Sequence, residues 1–85
     1  MIVHYSGRER LLLALLQHES TITIEHVLKV IYPDGNAPVN ARNVAVDLVR
    51  RLSRKLHIND DEVKLKQFDV DGQLHYQLER ANLAA

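Results

Sequence analysis

Apolar and polar positions change period several times along the chain, and each change marks an element. Ser6-Gly7-Arg8-Glu9 has the spacing of a capping box, in which the Ser oxygen accepts from the backbone at Glu9 and the Glu side chain reaches back. The apolar positions that follow predict a helix from about residue 7 to residue 18. Leu12, Leu15 and Leu16 form its stripe, widened by Leu11 and Leu13, and the whole run reads as core. Thr21-Ile22 is a short extended step. Thr23 caps a second helix over 24–32, with Glu25 in the first turn, where the helix dipole favours an anion. Val27, Leu28 and Ile31 are the stripe of that helix, and Pro33 stops it.

Residues 33–38 are the densest cluster of turn formers, with two Pro, a Gly, an Asp and an Asn. Asn40 then caps a third helix over 41–56. At 100° per residue, Ala45, Leu48, Val49, Leu52 and Leu56 fall in a narrow arc. The opposite arc holds Asn43, Asp47, Arg50 and Arg54, with Val46 and Arg51 at its edges. Residues 57–62 are polar and acidic. Two stretches of alternating pattern, 63–68 and 73–78, flank Asp69-Val70-Asp71-Gly72 and predict a hairpin with an Asp-Gly turn signal. Residues 1–5 carry β-branched and aromatic side chains and read as a short N-terminal strand. Residues 80–85 read as a helical fragment or a disordered tail. The fold class expected is α+β: one domain over 1–85, with its core at about 6–78. Three helices followed by a C-terminal hairpin is the order of a winged helix-turn-helix.

Size narrows the functions open to such a domain. A chain of 85 residues buries only about 60–65% of its unfolded surface, enough for one core but not for a core and a deep substrate cavity. Cysteine is absent, which removes disulfides, thiolate metal sites and cysteine nucleophiles and fits a reducing cytoplasm. The five histidines form no i,i+4 pair, so no metal site is expected. No nucleophile with its base and orienter is visible, and there is no Gly-rich phosphate loop. An enzyme and a cofactor are therefore not expected. The longest apolar run, 11–16, is far short of the ~20 residues that span a bilayer, and the N-terminus lacks the pattern of a signal peptide. Membrane partners are not expected, and the compartment expected is the cytoplasm.

Charge changes the picture most. Eleven basic and eleven acidic groups cancel, which at first counts against nucleic acid. Their distribution is polarised: residues 1–40 sum to −1, residues 41–56 to +4 and residues 57–85 to −3. Arg42, Arg50, Arg51, Arg54 and Lys55 all lie on the third helix, Arg50 and Arg54 on its polar arc and Arg51 at the edge. Arginine pairs bidentately with guanine, asparagine with adenine, and both basic residue types neutralise phosphate. A solvated, salt-bridged helix face is the plainer account, with Asp47 holding Arg50 and Arg51 by i,i+3 and i,i+4 pairing.

The order and spacing of several fragments carry a resemblance. Ser6-x-x-Glu9 before Leu11-Leu12 is similar to a Thr-x-x-Glu helix opening. Residues 18–28, HESTITIEHVL, are similar to HPGRVVSREQLL, with Thr23 at the capping Ser. Residues 42–56, RNVAVDLVRRLSRKL, are similar to RTVDVHISRLRKKL, and Tyr76-x-Leu78 matches a closing GYRL. Together these resemble the DNA-binding effector domain of OmpR/PhoB-type response regulators, over about 6–78 and without a receiver domain. The third helix is one residue longer than the family pattern between Arg42 and Leu56. The hairpin tip carries Asp69 and Asp71 where the family is basic, and His75 replaces the Gly before Tyr76. An acidic tip repels phosphate.

The resemblance implies a sequence-specific double-stranded DNA-binding regulator of transcription that places helix 41–56 in the major groove. Asn43, Val46, Asp47, Arg50, Arg51 and Arg54 would face the bases, and Thr23, Arg42, Lys55, Lys64 and Lys66 the backbone. Capping alone also accounts for Thr23, and guarding a sheet edge also accounts for Lys64 and Lys66. The loop 33–40 is a candidate contact for RNA polymerase. The alternative is a winged-helix protein-interaction module that docks on polymerase, on another regulator or on a second copy of itself as a homodimer.

Overall fold

The computed structural model describes residues 3–59 and 63–80. Helix α1 spans Gly7–His18, strand β1 Thr21–Thr23, helix α2 Ile24–Ile31, helix α3 Ala41–Asn59, strand β2 Val63–Val70 and strand β3 Gln73–Arg80. The domain is α+β, with three helices and one antiparallel sheet of strand order β1-β3-β2 among the described residues. No helix among the described residues is long and apolar enough to cross a membrane.

Local chemistry accounts for most of these boundaries. Ser6 caps α1: its Oγ accepts from Glu9 N at 3.3 Å, and Glu9 Oε1 accepts from Ser6 N at 2.6 Å. At α2 the same box is built with histidine, because Thr23 Oγ1 accepts from His26 N and His26 Nδ1 accepts from Thr23 N. The second helix ends at Ile31, with Tyr32 as its C-cap. Asn40 takes the cap position of α3, its carbonyl accepting the first helical bond from Val44 N. The intervening loop is exposed from Pro33 to Asn40. Asp34 folds it locally by accepting from Asn36 N at 3.2 Å, and this bond, with that of the Asn36 amide, holds the Asp34 carboxyl below its ordinary range.

Four expectations change. Val3, His4 and Tyr5 form no strand. Side chains take up their backbone groups instead: Asn59 binds both N–H and C=O of Val3 at 2.7 and 2.8 Å, Lys55 donates to His4 O, and Arg10 donates to Tyr5 O. Met1 and Ile2 lie outside the described residues. The third helix runs three residues past 56, because the bonds between Asn59 and Val3 hold its last turn. The strands of the hairpin reach Val70 and Arg80, so its turn has two residues rather than four, and Arg80 belongs to β3. Leu11 is exposed, whereas Leu12 and Leu16 are buried. Five leucines in six successive residues span more than one face of a helix. The acidic run 60–62 and the remainder of the tail, 81–85, lie outside the described residues.

The turn itself has the geometry that Asp-Gly favours. Asp71 has φ 53° and Gly72 φ 79°, the left-handed pair of a type I′ hairpin, and Asp69 Oδ1 accepts from Gly72 N at 2.8 Å. A Cβ at Gly72 would meet nothing, so its cost is conformational only. Gly72→Ala is expected to lower stability by about 1 kcal/mol, read as a shift in urea midpoint with unchanged slope.

The core lies between the helices and one sheet face. Leu12 and Leu16 of α1, Ile24, Val27 and Ile31 of α2, and Ala45, Val49, Leu52 and Leu56 of α3 close over Ile22, Val63 and Tyr76. Strand alternation gives the sheet its two faces. Gln67 pairs with Tyr76 and Leu65 with Leu78 on the face toward α3. On the other face Lys66 pairs with Gln77, Lys64 with Glu79, and Phe68 stacks on His75 at 5.5 Å.

Candidate nucleic-acid interface

The third helix buries Ala41, Ala45, Val49, Leu52 and Leu56 and leaves the opposite arc to solvent. Asn43, Asp47, Arg50, Arg51 and Arg54 are all exposed there, and Val46 is half-buried at its edge. The arc has two shoulders. Val46, Arg50 and Arg54 line a groove of about 300 Å³ against β2 and β3, together with Ser53, Gln67 and Tyr76. Asp47 and Arg51 line a second groove, against Ser6 and Arg8 at the start of α1. The six residues expected to face bases thus share one helix surface but look toward different neighbours.

Their electrostatic states differ as well. Arg51 Nη2 lies 2.9 Å from Asp47 Oδ2 across one helical turn, both in solvent, a pair worth about 0.3–0.5 kcal/mol. Arg42, Arg50 and Arg54 have no carboxylate partner among the described residues. Arg42 is exposed at the N-terminus of α3, where the helix dipole also favours an anion.

Lys55 does not join this surface. Its Nζ lies 2.6 Å from Glu9 Oε1 and 3.0 Å from His4 O, so its charge is spent inside the fold, on the only buried charged side chain among the described residues. Burial pushes the Glu9 carboxyl up, but the bonds from Lys55 and Ser6 outweigh it and hold the group below its ordinary 4.5. Lys55 is thus drawn toward Glu9 and His4, apart from the exposed Arg50 and Arg54. Lys64 and Lys66 are exposed on the sheet face turned away from the groove, and the fold does not bring them to Arg50 and Arg54. Thr23 closes its capping box with His26.

Sequence reasoning passed over Tyr76, Ser53 and Gln67 at the groove and the tertiary role of Glu9. The alternation of β3 could have marked Tyr76 as inward-facing. Nothing local could have marked Glu9, whose partner lies 46 positions along the chain. Comparison of the chain with protein-family models, with curated proteins and with solved structures finds no match.

Proposed function

We propose that the chain is a winged helix-turn-helix regulator of transcription that binds double-stranded DNA. In this reading α2 and α3 form the helix-turn-helix and the β2–β3 hairpin is the wing. The observation that carries it is the division of labour among the cations of α3. Two of the five are neutralised by Asp47 and Glu9, while Arg42, Arg50 and Arg54 stay exposed on one helix surface with no carboxylate partner among the described residues. Arg50 and Arg54, one turn apart, read base edges with Asn43 beside them. Arg42 meets phosphate at the helix N-terminus. The acidic tip at Asp69 and Asp71 stays clear of the duplex, since it repels phosphate.

The test is duplex selection from a random pool, followed by affinity as a function of salt. With Arg42, Arg50 and Arg54 as the only free cations of α3 among the described residues, log K should fall against log salt with a slope no steeper than about −3. A protein that retains no duplex at ~50 mM salt is not a DNA-binding regulator.

One observation favours a second reading, a protein-interaction module. The loop 33–40 is exposed throughout, and Val39 shows its whole side chain to solvent. Under this reading Val39→Asp abolishes capture of RNA polymerase, another regulator or a second copy, and Arg50→Ala leaves capture unchanged.

A further inference from the structure

The groove between α3 and the hairpin contains a polar group that a DNA contact at its rim leaves unexplained. Tyr76 is 1% exposed, and its Oη is the one buried side-chain polar atom without a hydrogen-bond partner among the described residues. Buried tyrosines ordinarily pair this hydroxyl. Burial raises the phenol above its ordinary 10, with Arg42 and Arg50 the charges acting against the shift, so Oη–H is a neutral donor beside two cations. The groove also offers Val46, Val49 and Leu65 as an apolar wall, and it has no acidic residue in its lining. A volume of about 300 Å³ lies at the small end of ligand sites, where a few polar groups orient an apolar body. It admits a small molecule, not a duplex.

We propose that this groove binds a small organic anion with an apolar body. Its carboxylate is held by Arg50 and Arg54 and accepts from Tyr76 Oη, and its body lies on Val46, Val49 and Leu65. The hydroxyl is closed to solvent in the free protein, so binding includes movement of exposed side chains at the groove, which is fast at a surface. If the DNA reading holds, the same two arginines cannot serve ligand and duplex together, and the anion is an effector that releases DNA.

The test uses benzoate as probe and contains no DNA, so it succeeds or fails independently of the DNA reading. Titrated into the isotopically labelled chain, benzoate should give saturable amide shifts at 46–54 and 65–67 with a millimolar Kd, of order 1 mM. Tyr76→Phe should weaken it about fivefold, the worth of one hydrogen bond. In the free protein the same change should raise the folding constant, because it removes an unpaired polar group, so weaker binding cannot be ascribed to a damaged fold. Val46→Asp, which puts a carboxylate at the rim, should abolish the saturable shifts without touching Tyr76. Linear shifts up to about 20 mM benzoate, an unchanged Kd in Tyr76→Phe, or inorganic phosphate binding as tightly as benzoate would each overturn the proposal.

Discussion

Replacing Arg50 and Arg54 together by alanine should lower affinity for the selected duplex about a hundredfold, on the basis that each bidentate contact to a base is worth about 1–3 kcal/mol. Both side chains are exposed, so the melting temperature should stay within a few degrees of the parent. Neighbouring cations supply the controls. Arg51→Ala removes a charge that Asp47 already neutralises at 2.9 Å, and it should cost no more than about threefold. Lys64→Ala/Lys66→Ala removes two charges from the far sheet face and should leave affinity and salt slope unchanged. Fluorescence anisotropy on one labelled duplex distinguishes the three variants. Equal loss in all of them would mean that overall charge, not this helix surface, holds the DNA. Equal affinity of the parent and the Arg50/Arg54 variant would remove DNA reading by α3 altogether.

The largest effect on stability is expected at Lys55. Its removal leaves the Glu9 carboxylate 2% exposed with only Ser6 to satisfy it. Breaking a buried pair from one side is costly because the remaining charge is uncompensated. Lys55 itself is partly open to solvent, with 27% of its side chain exposed, which brings the expected loss in Lys55→Met to about 2–4 kcal/mol. That is roughly 15 °C in melting temperature for a domain of this size. Adding Glu9→Gln should recover part of the loss, since the double variant buries no unpaired charge. Acid provides a separate readout. Because Glu9 is held below its ordinary 4.5 in the folded state, the unfolded chain takes up the proton first as pH falls. The contribution is fully present above about pH 4.5 and is lost as pH drops through the lowered folded value. Denaturant melts between pH 6 and about pH 3 should therefore fall less steeply for Glu9→Gln than for the parent. Parallel slopes would show that the pair does not govern acid stability.

What the sequence made legible is what neighbouring residues decide among themselves. Ser6 with Glu9, Thr23 at the head of α2, and Asp71-Gly72 at the hairpin are local bargains between side chain and backbone, and each stands where its spacing placed it. The apolar arc of α3 was legible because a helix has one period. The division of its cations was legible only in part: five residues put Lys55 about 140° around the helix from Arg50, but the carboxylate it meets lies 46 positions away along the chain. Parity decided the hairpin lysines: the register that turns Leu65 and Gln67 toward α3 turns Lys64 and Lys66 away. Tyr76 was read as a motif residue. Its unpaired hydroxyl depends on the packing of α3 over β3, and no run of residues encodes that.

The bonds from Asn59 to Val3 place the start of the described chain at the far end of a helix about 28 Å long, the helix whose other end carries Arg42. The first described residues are therefore tied, through Asn59 and Lys55, to the same helix that carries the arginines.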